Sequence, residues 1–140
     1  MDSSHTLYFV IIFFCLVLSA FFSSAEVAII SMSRIRVKHL LSNDVKFADL
    51  LNSLKENPGM FLSAILLGNN LVNIAAASLG TIIAVSMFGE NWGALIATIS
   101  ITILILVLGE VIPKTVAAHN AEKMALAYTI PVQMLIWVFW

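Results

Sequence analysis

Gly109-Glu110-Val111-Ile112-Pro113-Lys114 closes an apolar run that opens at Gly93 and carries no charge before Glu110. An uncharged stretch of this length is a membrane-spanning helix by length and composition. Its end carries the chemistry. A carboxylate, a helix-breaking proline and a lysine arrive within five residues. A carboxylate at lipid depth is costly unless a cation compensates it, which marks Glu110 as a candidate functional residue. Pro113 lacks an N–H and clashes with the carbonyl four residues earlier, that of Gly109. A side-chain carboxylate beside a freed backbone carbonyl is an oxygen pair suited to a hard cation.

The composition fits the same class. The chain has 140 residues, 61% hydrophobic and 11% charged, whereas soluble domains are nearer half apolar and a quarter charged. The excess falls in runs of spanning length, so the expected fold is an all-α integral membrane protein. Three transmembrane helices are expected at about 7–32, 60–88 and 92–115, as one domain over 1–140. Between the first two, Leu40, Leu41, Phe47, Leu50, Leu51 and Leu54 recur near helical spacing among Lys46, Asp49, Lys55 and Glu56. That pattern predicts short helices over 34–57, a hairpin at the cytoplasmic membrane surface. Asn57-Pro58-Gly59 punctuates the chain and starts the second span. In the last apolar segment, 124–140, Pro131 separates pieces too short to cross, which predicts a re-entrant or interfacial hairpin. The run is still apolar at Trp140, which suggests that the chain continues in a longer protein.

Leu7 to Phe22 could serve as the core of a secretory signal, but no Lys or Arg precedes it, so a retained span is expected. Every Lys and Arg lies between Arg34 and Lys55 or at Lys114 and Lys123. The positive-inside rule places both regions in the cytoplasm, with the N-terminus outside, in a multi-pass protein of the plasma (inner) membrane. A net charge of -1 without a basic tract offers nothing to nucleic acid. Cys15 is alone, and His5, His39 and His119 lie in separate segments without metal-ligand spacing. Trp92, Tyr128, Trp137 and Trp140 read as interfacial anchors.

Three polar groups interrupt the apolar helices: Ser19, Ser23, Ser24 and Glu26; Gly68, Asn69, Asn70 and Asn73; and Gly109 with Glu110. Ser19 and Ser23 are four apart and share a helical face. Counted by helical rise, all three groups fall in one inner-to-middle layer of the bilayer, so they can meet. Together they offer two hydroxyls, an amide oxygen, a carboxylate and a carbonyl. This all-oxygen set favours magnesium or calcium over zinc or copper. One carboxylate makes a weak site, suited to releasing its ion. The plainer readings are helix-packing hydroxyls and amides, and a Glu110–Lys114 ion pair at i,i+4. Glu110 is read here as a ligand, and Glu26 as a structural partner of Lys114 across helices. No Ser/His/Asp or paired-carboxylate arrangement lies at one depth, so no enzyme is expected.

Ala20-Phe21-Phe22-Ser23-Ser24-Ala25-Glu26, Leu67-Gly68-Asn69-Asn70-Leu71-Val72-Asn73 and Gly109-Glu110-Val111-Ile112-Pro113-Lys114-Thr115 resemble the transmembrane domain of the cyclin M (CNNM)/CorB–CorC magnesium transporters, most closely the CorB branch. The resemblance implies a homodimer with three transmembrane helices per protomer. It implies magnesium efflux or sodium-coupled magnesium exchange, with Mg2+ as the bound ion and Na+ as the coupling ion. It places the ion at Ser19, Ser23, Asn70, the Gly109 carbonyl and Glu110, beside a π-turn. Pro113 shapes that turn and Lys114 is its charge partner. The family's cytoplasmic nucleotide-binding regulatory domains are absent from these residues, so no ATP binding is expected of them. The alternative is a magnesium-sensing membrane anchor that moves no ion.

Overall fold

The computed structural model describes residues 3–139, and no strand occurs among them. Helix α1 runs Ser3–Ser31. Two short helices follow, α2 (Arg34–Ser42) and α3 (Ala48–Glu56). Ser33 caps α2, its hydroxyl accepting the Arg36 N–H at 3.1 Å, the usual role of serine at that position. Left-handed backbone at Asp44 (φ 53) and Phe47 (φ 69) turns the chain between them.

Helix α4 (Pro58–Phe88) begins with proline in its first turn, where the missing N–H costs nothing. It stops at Gly89, whose φ of +88 suits glycine. The third span is one continuous run, Glu90–His119. It comprises α5 (Glu90–Leu104), a π-helical segment (Ile105–Val111) and α6 (Ile112–His119). Within it the Ile112 N–H returns to the Val107 carbonyl, five residues back, the π pattern. At about 1.5 Å per residue each of the three spans exceeds a ~30 Å hydrocarbon core. These three helices are long and apolar enough to cross a membrane.

The last segment departs from the expected hairpin. Helix α7 is unbroken over Ala121–Phe139, with Pro131 inside it. Ala125, Thr129 and Val132 are buried at i, i+4 and i+7 and hold that face against the bundle across the proline. The Thr129 hydroxyl donates to the Leu126 carbonyl at 2.8 Å in the same turn. Packing therefore outweighs the lost backbone bond, and among the described residues α7 does not meet the length and apolarity of the three candidate spans. Trp140 lies outside the described residues.

Helix α1 is the axis of the bundle. It packs on α4, on the π segment with α6, and on α7, while α5 packs on α4. His5 Nε2 lies 3.1 Å from Ser86 Oγ, which ties the start of α1 to the end of α4 and makes the two antiparallel. The core is concentrated at the end that carries Arg34 to Lys55, the basic end. There Ala25, Ala28 and Ile29 meet Leu51 and Leu54 of α3, Phe61 of α4, Ala117 of α6 and Val132 of α7. Lys55 Nζ donates to the Ile29 and Ile30 carbonyls at 3.3 and 3.4 Å, answering the unpaired carbonyls that end α1. Burial and the neighbouring Arg34 hold this ammonium below its ordinary pKa.

Candidate functional site

Ser19 is the meeting point of the three spans. Its side chain is fully buried, and its hydroxyl lies 3.0 Å from Asn69 Oδ1 on α4 and 3.5 Å from the Gly109 carbonyl in the π segment. Glycine allows the close approach, since a Cβ on Gly109 would stand 2.7 Å from Ser19 Oγ. Pro113 has no N–H to return to the Gly109 carbonyl. That oxygen therefore faces Ser19 instead. One turn further along α1, Ser23 is also fully buried, and its hydroxyl has no hydrogen-bond partner among the described residues. A buried hydroxyl without a partner costs about 1–3 kcal/mol, so an orphan beside a cluster of oxygens calls for a ligand or a role.

The three asparagines of α4 are placed differently. Gly68 faces α1, since a Cβ there would touch the Phe22 ring at 2.7 Å. Each residue turns the helix by about 100°, so Asn69 flanks that face and Asn70 lies on the far side. Asn69 is partly buried, Asn73 likewise, and Asn70 is exposed. The amide at Ser19 is thus that of Asn69, whereas Asn70, the residue expected from the resemblance, is not brought to the serines within this protomer.

Glu110 follows Gly109 and is half-buried. Among the described residues the only ion pair joins Arg36 to Glu122 at 2.8 Å, so neither Glu110 nor Glu26 is clasped by Lys114. This corrects the expected Glu26–Lys114 pairing. Among the described residues, no three His, Cys, Asp or Glu cluster together. The oxygens that do gather are hydroxyl, amide and carbonyl oxygens with one carboxylate adjacent, a set that hard cations accept.

Tyr128 is more than an interfacial anchor. Its hydroxyl lies 3.1 Å from Ser24 Oγ, and its ring meets Phe21 edge-on at 5.2 Å between centroids. With Pro113 and Met124 these residues line a cavity of about 360 Å³ between α1, α6 and α7. Its sequence signal was faint: Tyr128 sits three residues after Ala125 and one before Thr129, both on the buried stripe of α7.

Residues 10–140 match the model of the cyclin M transmembrane N-terminal domain. The chain is 43% identical over 117 residues to a UPF0053 protein of Haemophilus influenzae, covering 84% of this chain and 28% of that protein. It is 40% identical over 108 residues to the UPF0053 inner membrane protein YfjD of Escherichia coli, covering 77% and 25% respectively. It is 35% identical over 72 residues to the polyamine export protein of Salmonella typhimurium, covering 51% of this chain and 16% of that protein. The chain thus spans about a quarter of the length of the first two relatives.

Proposed function

The chain belongs to the family of cyclin M transmembrane N-terminal domains, and from that premise we propose that it is the membrane part of a magnesium transporter. The observation that carries the proposal is the convergence on Ser19 of Asn69 Oδ1 and the Gly109 carbonyl, with the orphan hydroxyl of Ser23 one turn away. Magnesium as cargo would draw on these oxygens, on Glu110 and on retained waters, since it dehydrates reluctantly. Ser19 has one proton for two acceptors. On binding it would turn that proton aside and present a lone pair. One carboxylate against two positive charges leaves the site weak, as release requires.

Efflux, with sodium as the coupling ion, is part of the same proposal, as is an inner-membrane location with the N-terminus outside. The confinement of Lys and Arg to one end supports that orientation. A homodimer is supported by Asn70, an exposed amide near mid-span. An amide facing lipid is costly, and a second copy would cover it.

The test is magnesium flux in proteoliposomes. Glu110→Gln is expected to lower flux at least tenfold while the protein keeps its elution position and helicity; undiminished flux would overturn the reading. A sensor, the second reading, would bind magnesium and move none. Flux of a polyamine such as spermidine by the same liposomes tests the cargo class in the Salmonella relative's name, and polyamine transport in preference to magnesium would replace the proposed cargo.

A further inference from the structure

At the basic end, α2 and α3 fold three cations together. Arg34 and Lys38, four apart on one face of α2, and Lys55 on α3 line a cavity of about 300 Å³ with Asn52 and Glu56. Glu56 is the single acid of the lining, and its Oε1 accepts from Asn52 Nδ2 at 3.1 Å rather than from a cation. Arg36, by contrast, is turned away and held bidentately by Glu122 at 2.8–2.9 Å. Among the described residues, no carboxylate pairs with Arg34, Lys38 or Lys55. Like charges held together without a counterion repel, which is a standing invitation to an anion.

The height of this pocket is fixed by Lys55. Two of its three donors reach the Ile29 and Ile30 carbonyls in the last turn of α1, so the floor of the pocket is the mouth of a membrane span and one donor remains free. Beside the cations, Ile35 is 82% exposed, and Ile30 and Met60 are exposed as well. Charges at the height of the interface with bare aliphatic side chains next to them match a lipid, phosphate above and acyl chain below.

We propose that the α2–α3 pocket binds the phosphate-bearing headgroup of an anionic membrane lipid through Arg34, Lys38 and Lys55. It is separate from the site around Ser19 and stands whether or not that site carries magnesium.

The experiment is native mass spectrometry of this chain in detergent, titrated with phosphatidylglycerol or with phosphatidylcholine of the same acyl chains. Phosphatidylglycerol is expected to be retained at least tenfold better. Removing a cation near the headgroup lowers affinity about fivefold. The Arg34→Gln/Lys38→Gln pair should therefore abolish the preference, and Lys38→Gln alone, on an exposed side chain, should lower it about fivefold without touching the fold. Arg36→Gln and Lys46→Gln should leave it intact. Equal losses in those two controls, or no preference in the unaltered chain, would overturn the proposal. Complete displacement of the lipid by millimolar inorganic phosphate or glycerol phosphate would overturn it too, showing a soluble-anion site instead.

Discussion

At the basic end α1 is enclosed by α3, α4, α6 and α7, and its Ala25 and Ala28 are completely buried. At the Gly89 end the helices leave an apolar cavity of about 300 Å³, lined among others by Phe9, Ile12, Ile83, Ala97 and Ile101. At both ends the residues that face the bundle interior are mainly apolar. The ends differ because the basic end has extra helices to cover α1, whereas the other end has only spanning helices and would take its remaining contacts from lipid. Ser19 lies at the boundary of the two. A site there has one wall fixed by close packing and the other bordered by slack.

Substitutions can break that contrast. Ala25→Leu, forced into the filled end, should cost about 3 kcal/mol, read as a lowered midpoint in detergent unfolding. Gly93→Ala should cost about 2 kcal/mol, because its Cβ would fall 2.5 Å from the Val85 backbone, the tight point of the α4–α5 turn. A smaller loss would mean that this turn is as loose as the cavity beside it. Next comes the Ser24–Tyr128 contact: a double-mutant cycle of Ser24→Ala and Tyr128→Phe should return a coupling of about 1 kcal/mol. A coupling near zero would remove that contact from the forces holding α7. The smallest effect is expected at Ala97→Leu, since this buried alanine borders the cavity and the added bulk has room to enter it; stability should move by less than about 0.5 kcal/mol. A loss as large as that of Ala25→Leu would erase the distinction between the ends.

The spans, the surface helices and the start of α4 at Pro58 were legible because they follow from run length, helical spacing and a proline at a tolerated position. So was the meeting of Ser19 with Gly109, since hydroxyls four apart and a proline-freed carbonyl fell at one depth. Three features were not. The continuity of α7 through Pro131 depends on burial of Ala125, Thr129 and Val132, which is tertiary and outweighs local propensity. Choosing Asn69 over Asn70 needed the direction of Gly68, and glycine shows its neighbour only once Phe22 is in place. The extent of the π segment, Ile105–Val111, is not revealed by counting at 3.6 residues per turn.

That π-turn divides the third span into two helical phases. A ring closed at five residues holds one more than a ring closed at four, so the stripe that α5 presents and the stripe that α6 presents belong to separate counts along the chain. Removing a single residue between Leu104 and Gly109 is therefore the deletion this span could absorb as a regular helix with both stripes still in line. The same cut in α5 or α6 would swing everything beyond it about a quarter-turn away from α1.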